Sequence, residues 1–266
     1  MPHNTPLPTV STLWVGGDLG WMEHLCLTSF VYAKQPIVLY HYDPVGNVPE
    51  GVELRDARSI FEPPKDLVAQ TAPSYLADMF RLHLMQQTDE IWVDTDIICH
   101  APLMPNEDGF LVGWSPWHGE INNCIMRLPT GSGALEMLMT FLNDLSRIPP
   151  WIRPMMQQRL SKTPVETRMV ARYHTLRTII GPKALTYCLK DTGEDRHACE
   201  PDVLLPVPWQ YADVLFNPYG GWEGWTSDQT RSMHLWSNVL RHHKKQPVQP
   251  GSYMANWAKK LDVPLP

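Results

Sequence analysis

The hydrophobic pattern opens with a β-branched and apolar run, Thr9 to Val15, that stops at Gly16 and Gly17; apolar residues then recur at helical spacing from Leu19 to Ala33. Strand, glycine turn and helix are the expected elements. A second strand signal, Ile37 to Tyr42, closes on Asp43, Pro44, Gly46 and Asn47, and Val52 to Leu54 is a short third candidate. After Pro63 and Pro64, Ser74 is placed to open a helix running from Tyr75 to Gln87, with Leu76, Met79, Phe80 and Leu84 on one side. Ile91, Trp92 and Val93 then form a buried-strand run that ends in Asp94, Thr95 and Asp96. Strands alternating with helices predict an α/β fold with a mostly parallel central sheet flanked by helices.

The second half is less regular. Phe110 to Trp114 and Ile121 to Arg127 read as strands, and Gly133 to Leu145 as an amphipathic helix. Between residues 148 and 164 the periodicity fails where Pro149, Pro150 and Pro154 crowd Trp151, which predicts an irregular surface excursion. Glu166 to Ile180 and Pro182 to Lys190 are expected as helices on either side of Gly181. Val203 to Trp209 carries two prolines and reads as an edge strand or extended loop. Gly220 to Trp225 precedes a last apolar element, Met233 to Leu240. Residues 241 to 266 read as a basic tail that starts with Arg241, His242, His243, Lys244 and Lys245. With no internal repeat and no linker, residues 1–266 are expected to form one domain.

Charge narrows the function. The 22 Lys+Arg against 28 Asp+Glu leave a formal charge of −6, so nucleic acid finds no general attraction. No apolar stretch reaches the roughly 18 residues of a membrane span, and Met1 to Pro8 has neither a basic start nor an apolar signal segment. The five cysteines, Cys26, Cys99, Cys124, Cys188 and Cys199, contain no C-x-x-C and read as reduced thiols in a cytoplasm. The basic run from Arg241 offers at most weak peripheral contact with anionic lipid at the inner face of the membrane.

Asp94 and Asp96 stand two apart at the end of an apolar strand. Two adjacent carboxylates repel unless a proton or cation intervenes, and hard oxygen ligands suit Mn²⁺ or Mg²⁺ bridging phosphates. A bare D-x-D also arises as a simple turn cap. Among enzyme classes, a haloacid-dehalogenase-like phosphatase uses the same strand ending, with the first Asp as nucleophile. Here Ile98 occupies the fifth position and no later acidic pair completes such a site. A nucleotide-sugar-binding protein without catalysis is a third reading, and it requires a damaged metal site.

Leu13 to Gly17, the helix carrying Asp78 and Arg81, Trp92 to Asp96, Ile121 to Arg127, Gly181 with Pro182, and His234 to Trp236 together resemble the DXD-containing glycosyltransferases of family 32. That group includes α-1,4-galactosyltransferase-like and capsular-polysaccharide sugar transferases and is distantly similar to clostridial glucosylating toxins. The resemblance implies a GT-A fold, a nucleotide-sugar donor (a UDP-sugar), Mn²⁺ or Mg²⁺, a saccharide or lipid-linked saccharide acceptor, and retention of configuration. It further implies that Trp14 stacks on the base, that Asp94 and Asp96 hold the metal, that His234 is a metal or diphosphate ligand, and that Trp236 gives its indole N–H to a phosphate. Asp78 and Arg81 would hold ribose and donor-sugar hydroxyls, and Asn122 and Asn123 would contact the donor sugar.

The residues themselves leave alternatives open. Trp14 fits the core as well as a base platform, and Gly16 and Gly17, which would let the backbone come close to the nucleotide sugar, fit a plain tight turn as well. Asp78 and Arg81, three apart on a helix, fit an ion pair with each other. Asn122 fits an Asx turn. One departure concerns the residues before the acidic strand: where relatives place glycines and an aromatic, this chain has Gln87, Thr88, Asp89 and Glu90.

Overall fold

The computed structural model describes residues 6–117 and 119–266. Most of the N-terminal segment read above, and His118, for which no role is expected, lie outside the described residues. The first half follows the hydrophobic pattern: β1 (Val10–Trp14), α1 (Trp21–Tyr32), β2 (Ile37–His41), β3 (Glu53–Asp56), a short α2 (Lys65–Gln70), α3 (Pro73–Gln87) and β4 (Ile91–Val93). Helix α3 starts one residue before Ser74, because Pro73 takes the first helical position, where its missing N–H costs nothing; Ala72 precedes it without a side-chain cap.

A two-residue turn at Thr95 and Asp96 leads from Asp94 to β5 (Ile97–Cys99), a strand too short to show alternation in the sequence. Then come β6 (Leu111–Trp114), β7 (Ile121–Arg127) and α4 (Gly133–Asn143), the last opened by Ser132 Oγ accepting from the Leu135 N–H. Beyond these lie α5 (Pro154–Ser161), α6 (Arg168–Thr175), α7 (Pro182–Asp191), β8 (Ala198–Cys199), α8 (Pro201–Leu204), β9 (Ser232–His234) and α9 (Tyr253–Leu261).

The seven-stranded sheet runs β3-β2-β1-β4-β7-β6-β8. β3, β2, β1 and β4 are parallel neighbours, β7 is antiparallel to both β4 and β6, and β8 is parallel to β6. β1 therefore has β2 on one side and the later β4 on the other. At that change of direction the loops leaving the carboxyl ends of β1 and β4 diverge and open a crevice, the usual ligand position in such sheets. β5 and β9 form a separate antiparallel pair that sets Ile97 opposite His234.

The structure corrects three sequence expectations. The excursion at 148–164 turns inward: Trp151 stacks edge-on against Phe141 at 4.8 Å and donates to the Ile179 carbonyl at 2.7 Å, while Ile152 and Leu160 are buried. Pro154 starts a helix there instead of breaking one. The Glu166 to Ile180 helix is confined to α6, because Leu176 is already extended. Val203 to Trp209 takes the second of its two readings, a loop: Leu205 to Pro208 connect the end of α8 to a 3-10 helix, Trp209–Phe216. The C-terminal segment is no tail, since α9 buries Tyr253, Met254 and Ala258 with α1 residues Met22, Leu25 and Cys26 in one cluster. The basic run forms a 3-10 helix, Leu240–Lys245, in which Lys244 pairs with Glu23.

The atypical Gln87 to Glu90 turn is built with charge in place of glycine. The Thr88 N–H and hydroxyl both donate to the Leu84 carbonyl, ending α3; Asp89 pairs with Arg127 at 2.6 Å, and Glu90 accepts from Ser11 and Arg55. Among the described residues no helix is long and apolar enough to cross a membrane. All five cysteines are free thiols.

Candidate active site

The crevice at the β1/β4 switch is a cleft of about 640 Å³. Trp14, Arg81, Asp94, Asp96, Asn122, Asn123, His234 and Trp236 all line it. Residues spread over most of the chain converge because each sits at or just beyond a strand end or on the helix beneath.

Arg81 organises the floor. α3 packs under β4 and presents this side chain, only 4% exposed, to the end of the strand. Its guanidinium contacts Asp78 Oδ1 at 3.1 Å and Asp94 Oδ1 at 3.3 Å, donates to the Asn123 carbonyl, and lies 4.7 Å from the ring centre of Trp92. A planar fork can serve several acceptors at once while its face rests on an aromatic ring. Trp92 also donates its indole N–H to Asp94 Oδ1 at 2.7 Å. Asp78 and Arg81 thus do pair with each other, within a larger network.

Asp78 does not line the cleft. It lies behind Asn123, whose amide donates to Asp78 Oδ1 at 2.9 Å. Burial pushes its carboxyl up to about 6; Arg81 opposes that rise and the nearby Asp94 charge adds to it. In the folded chain Asp78 therefore keeps a proton up to pH near 6, whereas its ordinary value is 3.8. Ionising it across that window lowers stability as the pH rises. The stability of Asp78→Asn relative to wild type is accordingly expected to rise between pH 4 and pH 7, by on the order of 2 kcal/mol from the size of that shift, on top of a pH-independent cost of losing the ion pair with Arg81. Paired melting curves at the two pH values measure that rise. An equal difference between the two chains at pH 4 and pH 7 would show that burial does not raise the Asp78 carboxyl.

Asp96 is 9% exposed, and its carboxylate accepts from the Ser237 N–H at 2.8 Å and faces His234 Nε2 at 3.3 Å. Burial alone would raise it, but the imidazole and the Ser237 N–H hold it down at about 2. Burial likewise works against a charged His234, yet the Cys124 sulfur and the Asp96 carboxylate carry its pKa well above the ordinary value. Asp94 is shifted upward, by burial first and then by the Asp96 charge, against the pull of Arg81. One ligand atom each from Asp94, Asp96 and His234 lies within 4.8 Å of the other two. Two carboxylate oxygens and an imidazole gathered in a half-buried pocket could hold a divalent cation.

Trp236 departs from expectation. Its indole N–H donates to the Val207 carbonyl at 2.8 Å and is not directed at the cleft, while its ring lies 3.9 Å from that of His234. Its φ of +56° is a costly conformation for a bulky side chain, and it turns the chain so that the Ser237 N–H reaches Asp96. Trp14 is partly buried, packs with the core around β1 and also lines the cleft. Its indole N–H donates to the Gly17 carbonyl at 2.8 Å. Gly16, with φ of +148°, makes that turn possible; neither glycine lines the cleft. Asn122 Oδ1 accepts from the Cys124 N–H, the local Asx-like bond, although the residue also borders the cleft.

Sequence reasoning missed Trp209 and the stretch Ser237 to Val239, which also line the cleft. Ser237 was signalled only by its place directly after His234 to Trp236. Trp209 carried no signal beyond its residue type.

No family model matches the sequence, and no curated protein matches it. Its fold is similar to that of the PaToxG glycosyltransferase, with a TM-score of 0.50, 11% identity and 71% of each chain covered. The glycosyltransferase GlyE of Streptococcus pneumoniae TIGR4 aligns at TM-score 0.40 and 12% identity, over 97% of this chain and 65% of that one. The galactosyltransferase LgtC, solved with donor and acceptor sugar analogues, aligns at TM-score 0.37 and 10% identity, over 85% and 86%. The architecture is a GT-A-like α/β domain, as its sheet order and the PaToxG likeness show.

Proposed function

We propose that the cleft transfers a hexosyl group from a nucleotide sugar, a UDP-sugar in our reading, to a saccharide acceptor with retention of configuration, and that the chain is a divergent relative of the family 32 enzymes. The observation that carries this reading is the convergence of Asp94, Asp96 and His234 at the switch point of a GT-A-like sheet, beside the half-exposed face of Trp14. Asp94, Asp96 and His234 would hold Mn²⁺ or Mg²⁺. A cation bound there supplies charge neutralisation to the departing diphosphate.

The chain's own groups account for the rest. Trp14 offers a flat face for the base. Asn123, fixed by Asp78, and Asn122 present uncharged amides to the donor sugar and steady positive charge at its anomeric carbon. Asp78 acts through Asn123 and Arg81, without touching the sugar itself. Among the described residues, Asp94 and Asp96 are the only carboxylates lining the cleft, and Glu120 lies outside it. An inverting transfer needs a free base to deprotonate the acceptor, and both aspartates are committed to Arg81 or His234. This supports retention, with a departing phosphate oxygen taking the acceptor proton. The exposed aromatics Trp117 and Tyr211, packed edge to face beside the Trp209 rim, offer the acceptor sugar a surface.

A mass-spectrometric screen of UDP-Gal, UDP-Glc, UDP-GlcNAc and GDP-Man with Mn²⁺ tests the reading. Release of UDP from one UDP-sugar, abolished by EDTA, is expected. Consumption of GDP-Man alone would overturn the choice of base. Proton NMR of the first-formed product should show an α-linkage from an α-linked donor, and a β-linkage would contradict retention.

A further inference from the structure

A second cluster of metal-ligating side chains lies in the two segments that continue from cleft-lining residues. Asp213 belongs to the 3-10 helix that begins at Trp209, and His242 and His243 to the one that follows Val239. Nε2 of His243 and Nε2 of His242 both face Asp213 Oδ1, at 2.9 and 3.1 Å. One ligand atom from each residue lies within 4.8 Å of the other two.

The orientation of the rings makes this more than a surface ion pair. Nδ1 of His242 is 3.1 Å from the Val239 carbonyl. A carbonyl only accepts, so Nδ1 carries the proton, and in a neutral ring the Nε2 lone pair then points at a carboxylate oxygen. Two lone pairs at that separation repel unless a cation stands between them, either a second proton on the ring or a metal ion. The His243 ring lies flat on Phe216, with 3.8 Å between ring centres and 2° between planes, which holds its Nε2 toward the same oxygen. Lys244 does not supply the cation, because its ammonium is turned to Glu23.

An imidazole whose far N–H is fixed by a backbone carbonyl, a second imidazole held by packing, and a carboxylate form the kind of ligand set that takes Zn²⁺. Ligands about 2.0–2.2 Å from a tetrahedral ion stand roughly 3.3–3.5 Å apart, so each imidazole–carboxylate pair, at 3.1 and 2.9 Å, needs to open by only a few tenths of an ångström. Two nitrogens and one oxygen favour such a borderline cation over Mg²⁺. We propose that Asp213, His242 and His243 form a second divalent-cation site, of the Zn²⁺ class, separate from the Asp94, Asp96 and His234 cluster. Occupied, it ties the Trp209 segment to the Val239 segment and so fixes the rim of the cleft.

Calorimetric titration of the full chain with Zn²⁺ at neutral pH, on wild type, Asp96→Asn, His242→Gln and Asp213→Asn, tests this. Asp96→Asn should retain one Zn²⁺ equivalent that His242→Gln and Asp213→Asn bind at least about 100-fold more weakly. The side chains of His242 and Asp213 are 50% and 61% exposed, so their replacement leaves the core untouched. As a second measurement, Co²⁺ should give the visible absorption of a four-coordinate site in Asp96→Asn that a chain carrying both Asp96→Asn and His242→Gln lacks. Equal Zn²⁺ stoichiometry and affinity in wild type and His242→Gln would overturn the site, leaving a protonated ion-pair cluster. So would loss of all Zn²⁺ binding in Asp96→Asn.

Discussion

Asp96→Asn is expected to lower turnover by at least about 1,000-fold, or about 4 kcal/mol of activation free energy, which is the order of charge stabilisation a metal-held leaving group receives. The protein should remain folded. Asn is the informative replacement because Asp96 is buried and faces two partners. Its amide oxygen can still accept from the Ser237 N–H. Ala would leave that N–H and the His234 ring without their partner, adding a stability loss of about 1–3 kcal/mol to any catalytic effect. Full activity of a folded Asp96→Asn chain would remove the carboxylate from the chemistry.

The largest expected effect on stability belongs to Arg81→Met. The methionine keeps much of the volume, but it leaves Asp78 and Asp94 facing each other without the guanidinium and leaves the Asn123 carbonyl without its donor. Removing one member of a buried ionic network costs about 3–5 kcal/mol. The loss should depend on pH in a definite direction. Once Asp78 is protonated, below the value of about 6 that burial gives it, less charge is left uncompensated. The difference between wild type and Arg81→Met should therefore be larger at pH 7 than at pH 5 in chemical denaturation. Arg81→Lys should recover only part of it, since a single ammonium cannot span both carboxylates and the carbonyl. A pH-independent loss would mean that Asp78 does not titrate in that window.

How much of this was legible in the sequence depended on distance along the chain. β1, β2, α3, β4 and β7 follow from hydrophobic period, and the acidic pair after β4 is a local signal. β5 was hidden because three apolar residues directly after the acids show no alternation. α5 was mistaken for loop because prolines were read as breakers, although Pro154 sits where a helix accepts one. α9 was missed for a different reason. Its buried positions Tyr253, Met254 and Ala258 have helical spacing, but the basic run before it drew the whole segment toward solvent in the reading.

The site shows the same limit. That Asp78 and Arg81 share a helix face is readable from their spacing. That Asn123 fixes Asp78 is not, because the contact depends on α3 packing beneath the sheet where β4 and β7 pair antiparallel. The commitment of the Trp236 indole to Val207, 29 residues away, was equally out of reach. The residue's left-handed backbone had no sequence signal, since glycine or asparagine would normally stand there.

Calorimetric titration of UDP into the protein, once with Mn²⁺ and once with EDTA, bears most directly on the cleft as a metal-dependent nucleotide-sugar site. Asp94 and Asp96 cannot approach a diphosphate without a shared cation. UDP should bind at least about 100-fold more tightly with Mn²⁺, a difference of about 2.7 kcal/mol, and Asp96→Asn should erase the gain. Equal UDP affinity in Mn²⁺ and EDTA would contradict it.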